Sequence, residues 1–204
     1  VMRIYGNYDV VIVGGGASGC CAAIAAAREG ANTIVIEQLG AVGGMMNISG
    51  PPGWAFSHVY NNAGERIIGG IVDELYQELY QEGLAFRPPL QEYRQLHCQN
   101  NVDIDWCGLL LFEKMRTAGV HFLLHSMAVD VLKEGNCVKG VVVENTEGRM
   151  AVMGKVIIEA SGEGDIAKKA GVQYQQIDRT KEELDPPSIT FHMDGIDWDK
   201  AWKY

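Results

Sequence analysis

The chain has 204 residues, 47% of them hydrophobic, which suffices for one substantial core and a small appendage but not for two full domains. Its formal net charge of -9 and pI near 5.0 exclude the clustered basic surface on which nucleic-acid binding is built. The longest apolar run, Cys20 to Ala27, is far below the roughly 18 residues of a membrane span, and Val1 to Val13 shows no secretory pattern, so the expectation is a soluble, cytoplasmic protein without a membrane partner.

In chain order, Asp9-Val-Val-Ile-Val13 reads as a short strand buried on both faces and entering a tight turn at Gly14-Gly-Gly16. Ala17 to Glu29 is alanine-rich and stops at Gly30, the pattern of a helix with a left-handed residue beyond its end. Asn32 to Glu37 follows as a second buried strand, completing a βαβ unit. From Gly40 to Asn101 the periodicity loosens, with Gly43-Gly44, Gly69-Gly70, Pro51-Pro52 and Pro88-Pro89 marking loops. Within that stretch Ile71, Leu75 and Leu79 share a face, predicting a helix that stops at Gly83.

A further helix is expected from Asp103, as N-cap, to Ala118, with Gly119 beyond it, and a strand over His121 to His125. Ala128 to Lys133, Cys137 to Glu144 and Arg149 to Glu159 are strand-like and joined by short Gly- and Asn-containing connections. They predict an antiparallel meander whose last strand returns to the main sheet. After Pro186-Pro187, Ser188 to Met193 reads as the start of another strand. The fold class is therefore α/β, a Rossmann-like parallel sheet plus an antiparallel β-meander.

Gly14-x-Gly16-x-x-Gly19, placed between a buried strand and a helix, is a phosphate-binding turn. Gly14 permits the tight turn, Gly16 lets backbone approach a pyrophosphate, and Gly19 lets helix and strand pack closely. The N–H groups near Ala17 and Ser18 and the helix dipole stabilise the phosphate charge. Glu37, ending the second strand, can accept hydrogen bonds from an unphosphorylated adenosine ribose. The unit by itself suits FAD and NAD equally.

Five cysteines form an odd set without C-x-x-C spacing, which argues against a zinc site and a disulfide framework, and Cys20 and Cys21 read as small core hydrophobes. His121 and His125 alternate on their predicted strand and would share a face, but no third ligand signals a metal.

Three segments carry a family likeness: Glu37-Gln38-Leu-Gly-Ala-Val-Gly43-Gly44-Met45-Met46, the meander, and Ile157-Ile-Glu-Ala160-Ser161-Gly162-Glu-Gly164-Asp165. In them, and from Asp9 to about Asp197, the chain resembles the FAD-dependent oxidoreductase family of glutathione-reductase-like flavoproteins. The resemblance implies FAD as cofactor, with Glu37, Gln38, Gly43, Gly44 and Met45 along it. It also implies Ala128 and Val129 as backbone contacts to the adenine, and Ala160, Ser161 and Gly162 near the phosphate and ribose. Ser161 stands where the family has threonine and keeps the hydroxyl. Asp165 is either a ligand contact or the cap of the helix after it. The meander is foreign to simple NAD domains and favours FAD over an NAD-binding dehydrogenase.

The same resemblance divides the chain into a FAD-binding domain over 1–185, with a loop-rich insertion around 45–101, and the start of a substrate-covering domain over 186–204. It implies hydride transfer between a small organic substrate and FAD. The alternative is a non-catalytic flavin-binding or structural subunit that needs a partner chain, or self-association, to complete it. By chemistry, His58, Tyr60, Arg94, His97 and His192 are candidates for binding anions or moving protons, although no motif singles one out.

Overall fold

The computed structural model describes residues 2–48, 56–57, 65, 67, 69–86, 99–175, 195–197 and 200. Strand β1 (Arg3–Val13) lies inside a six-stranded sheet, between β2 (Thr33–Ile36) and β9 (Gly148–Glu159), and is parallel to both. β6 (His121–Leu123) adds in parallel outside β2. On the other side β8 (Cys137–Asn145) and β7 (Met127–Glu134) continue the sheet in antiparallel fashion, giving the order β6-β2-β1-β9-β8-β7. The expected α/β class, with a parallel sheet and an antiparallel meander, is the observed one.

Alternate side chains of β1 and β2 feed two different cores, which is why both strands read as unbroken apolar runs. Ile12 and Val35 join Ile24 of α1 (Ala17–Arg28), Leu75 and Leu79 of α3 (Ile71–Gln81), and Leu111 and Met115 of α4 (Ile104–Thr117). Val11, Val13, Ile34 and Ile36 instead meet Val141 and Val143 of β8, Met150 and Val152 of β9, and Ile166 of α5 (Asp165–Ala170). The three larger helices thus cover one face of the sheet, and the meander with α5 covers the other.

The helix ends follow their sequence signals. Gly30 has φ 84° beyond α1, Gly83 φ 74° beyond α3, and Asp103 accepts from Trp106 N at 3.0 Å at the start of α4. In the meander, Glu134 faces Cys137 and Asn145 faces Gly148, so both hairpins close through two-residue loops.

Three expectations need correction. β1 begins at Arg3 rather than Asp9, because its first half is held by pairing to β9, from Arg3 opposite Met150 onward, and not by local propensity. The stretch read as loop-rich holds a small antiparallel sheet in which β5 (Gln99–Val102) lies between β3 (Phe56–Ser57) and β4 (Ala85–Phe86). β6 stops at Leu123 and His125 takes φ 50°, so His121 and His125 do not share a strand face. The expected strand over Ser188 to Met193 lies outside the described residues. No helix among the described residues is long and apolar enough to cross a membrane.

The cysteine reading can be tested on the folded chain. Cys20 is fully buried and donates to the Gly15 carbonyl at 3.1 Å. Burial pushes its thiol up to about 12 and that of Cys107, also buried, to about 11, while Cys137 is exposed. Iodoacetamide at pH 8 is expected to label Cys137 in the native chain and to reach Cys20 and Cys107 only after denaturation, read by peptide mass spectrometry. Native labelling of Cys20 would contradict its place in the core.

Candidate functional site

The glycines of the phosphate turn have three distinct structural roles. At Gly14, with φ 97°, an added Cβ would lie 2.4 Å from the Ala160 carbonyl oxygen; at Gly19 it would lie 1.9 Å from the Gly14 carbonyl oxygen. Those two positions let three backbone segments converge. At Gly16 an added Cβ would meet no atom of the described residues within 4 Å, so among them the missing side chain leaves open space in front of the helix. Gly16, the N-cap of α1, offers no side-chain cap, the first turn holds no acidic residue, and Ala17 and Ser18 are exposed at its tip. The first bond closed there runs from Cys20 N to the Gly16 carbonyl. The preceding N–H groups are therefore directed out of the helix end, where an anion satisfies them.

Glu37 at the end of β2 is 6% exposed. Its Oε2 accepts from Gly15 N at 2.7 Å and its Oε1 from Leu39 N at 2.8 Å, so the carboxylate holds the phosphate turn to the loop after β2. A carboxylate accepts about four hydrogen bonds, so capacity for a ribose diol remains. The loop returns to the turn: Gly43 N donates to the Gly15 carbonyl at 2.7 Å, Gly43 bridges Gly16, and an added Cβ on Gly44 would come within 2.9 Å of the Gly16 Cα. Gly44 is thus required for packing on the phosphate turn itself, while Gly43, at φ 107°, makes room for Asn47.

α2 (Met45–Ile48) follows. Met45 is exposed, whereas Met46 packs against the helix-side core. Asn47 donates to the Val42 carbonyl and lies between Gly43 and Gly108 of α4, where an added Cβ would approach its amide to 2.4 and 2.1 Å respectively.

A cleft of about 260 Å³ opens where β1 and β2 end and β7 begins. Of the residues expected near a cofactor, Gly14, Glu37, Gln38, Ala128, Ser161 and Asp165 line it. Ser126, Met127 and Glu163 line it as well and carried no sequence signal. The backbone explains their position: Glu37 N donates to the Leu123 carbonyl and Ser126 N to the Glu37 carbonyl, each at 3.0 Å, so the chain leaving β6 crosses the end of β2. Asn145 then fixes the Ser126 hydroxyl at 2.9 Å. Val129, expected beside Ala128, does not line the cleft. Val129 stands at a shift of the β7–β8 register between Ala128 and Asp130.

The turn after β9 brings Ala160 against Gly14, with Ala160 N donating to the Val13 carbonyl at 2.8 Å, and leaves Ser161 and Gly162 exposed. The capping role expected for Asp165 belongs elsewhere. Gly164, in the left-handed conformation, is the N-cap of α5 and makes no side-chain bond. Glu159 reaches forward instead, its Oε2 accepting from Ile166 N at 2.8 Å and Ala167 N at 3.2 Å. Asp165 is left on the cleft wall. The catalytic candidates His58, Tyr60, Arg94, His97 and His192 lie outside the described residues.

An uncapped helix behind a glycine turn, with an acid at the end of the next strand, makes this a dinucleotide-binding α/β protein. A family model for FAD dependent oxidoreductase matches residues 9–204, and the chain belongs to that family, with FAD as its cofactor. The open space at Gly16, the acid-free helix end and the cleft beside Glu37 fit a pyrophosphate joined to an adenosine.

Among solved structures, the chain is similar to a geranylgeranyl bacteriochlorophyll reductase-like protein from Thermoplasma acidophilum. Identity is 20% and the TM-score 0.56, over 82% of this chain and 43% of that one. It is similar to THI4 from Thermovibrio ammonificans at 21% and 0.54, over 82% and 64%. It is also similar to the anhydrotetracycline hydroxylase OxyS from Streptomyces rimosus at 19% and 0.60, over 84% and 35%. At such identities the likeness establishes the fold, and the chain spans less than two thirds of each of these proteins. No curated protein sequence matches it.

Proposed function

We propose that this chain is the FAD-binding portion of an oxidoreductase that moves a hydride between a small organic substrate and FAD. The observation that carries the reading is the α1 N-terminus, uncapped and without acid, opening on unfilled space at Gly16. Gly16 and the N–H groups of Ala17 and Ser18 hold the pyrophosphate. Glu37 takes the ribose hydroxyls, while Gln38, Met127 and Ala128 bound the adenine side.

Glu37, Glu163 and Asp165 make that cleft acidic, and among the described residues no lysine or arginine lines it, which supports an unphosphorylated ribose there and the phosphates at α1. Gly43 and Gly44 carry the chain away from the phosphate turn toward the flavin. The bound flavin supplies the redox chemistry.

In this reading residues 1–185 are the FAD-binding domain and 186–204 belong to a substrate-covering domain. The group that moves the substrate proton is drawn from His58, Tyr60, Arg94, His97 and His192. The odd set of five cysteines without C-x-x-C spacing supports a reducing, cytoplasmic setting. A small-molecule substrate and a partner chain, or a second copy, complete the assembly.

Anaerobic mixing of the flavin-loaded chain with a panel of amines, amino acids and hydroxy acids tests the reaction class. At least one compound is expected to bleach the oxidised flavin band, with air restoring it. A band that dithionite bleaches but no member of the panel does would favour a non-catalytic flavin-binding subunit.

A further inference from the structure

We infer that Glu159 is a positioning residue for the cofactor, acting through the turn that closes the site; this rests on the FAD reading above. Glu159 is the last residue of β9 and is half-buried. Its Oε1 accepts from Ser161 N at 2.8 Å, while Oε2 takes Ile166 N at 2.8 Å and Ala167 N at 3.2 Å. One carboxylate therefore binds both ends of the segment between β9 and α5.

Two observations extend this beyond ordinary capping. The segment it holds packs directly on the phosphate turn, since an added Cβ on Gly14 would lie 2.4 Å from the Ala160 carbonyl oxygen and 2.7 Å from the Ser161 Cα. Any drift of residues 160–161 is felt at Gly14. The two helix ends beside the cleft are also treated oppositely: α1 is open and acid-free, whereas the first N–H groups of α5 are taken by Glu159, and Asp165 adds negative charge there. The carboxylate thus closes the α5 end and sets where Ser161, Glu163 and Asp165 stand along the cleft wall.

Gln replaces it only in part, because its oxygen can keep one set of these bonds while its NH2 faces a backbone donor where the carboxylate accepts. Glu159→Gln is expected to weaken FAD binding by up to about tenfold, less than the full value of the charge-assisted hydrogen bonds, because these lie within the chain and act on FAD only through the turn. It should also alter the visible circular dichroism of the flavin at saturating FAD, a signature of changed cofactor placement. Glu159→Asp, which retains the carboxylate, should recover part of both.

The full chain and both variants would be titrated with FAD by fluorescence, with thermal unfolding of the cofactor-free forms measured alongside. Wild-type affinity and dichroism in Glu159→Gln overturn the proposal. So does a lowered melting temperature with wild-type dichroism and affinity, since that is a structural cap only. If Glu159→Gln does not fold, weaker FAD binding with altered dichroism in Glu159→Asp supports the proposal and wild-type behaviour of Asp overturns it. A wild-type chain that retains no FAD would overturn the cofactor reading itself, and this proposal with it.

Discussion

Gly16→Val gives a folded chain that binds FAD about ten- to a hundredfold more weakly, whereas Gly19→Ala, the smaller change, destabilises the fold itself. Both residues belong to one motif, and the structure separates their roles. Gly16 has φ -73° and ψ -174°, extended backbone that valine adopts readily, and its missing Cβ faces open space. A valine there is accepted by the apo chain but stands where the pyrophosphate must approach. Crowding of that kind costs roughly 1–3 kcal/mol or more, about ten- to a hundredfold in affinity.

Gly19 is the opposite case. A methyl 1.9 Å from the Gly14 carbonyl oxygen has no room, and the obstacle is backbone, so α1 must lift away from β1. The expected loss is on the order of 3 kcal/mol or more, the upper range of overpacking. Thermal unfolding without FAD and an FAD titration, run on both variants, read the two effects separately. A Gly16→Val chain that binds flavin like wild type, or a Gly19→Ala chain of unchanged melting temperature, contradicts these assignments.

Glu37→Ala is expected to damage stability and cofactor binding together. The Gly15 and Leu39 N–H groups lose their acceptor; the buried Gly15 donor left unsatisfied costs about 1–3 kcal/mol, and Leu39, which water can reach, less. In the proposed reading the ribose acceptor goes with it, so FAD affinity should fall by at least about tenfold beyond the loss of stability. Glu37→Gln retains one acceptor oxygen and should fall between wild type and alanine. Urea unfolding of the apo forms gives the first effect and FAD titration the second. Undiminished stability in Glu37→Ala would mean that the carboxylate does not tie the turn to the following loop.

The parts legible in the sequence were those set by local spacing. The glycine triplet, the apolar runs of β1 and β2, the Asp103 cap and the two-residue hairpins each depend on residues near one another in the chain, so their signals survive without tertiary context. The parts missed are set by contacts between distant segments. The first half of β1 contains Gly6 and Asn7, poor strand formers, and exists because β9 pairs with it. β3 and β4 are two residues each, too short for a period to register. Ser126 and Met127 reach the cleft only because the chain crosses the end of β2.

Glu159 escaped for a related reason. A cap is sought at the helix boundary, where Asp165 stood in a suitable place, but the acceptor comes from the preceding strand and arches over a glycine turn. The glycine pair was legible as a close-approach signal, yet part of what it approaches is the phosphate turn, not a flat ligand alone.

The central claim is that the open end of α1 and the acidic cleft beside it hold FAD. The visible absorption spectrum of the purified chain, mixed with FAD and freed of unbound ligand, tests it most directly. A retained flavin band at near one equivalent, reduced in Gly16→Val, with no NAD retained in a parallel mixture, is the predicted result. A chain that passes through with no flavin and retains NAD instead would contradict it.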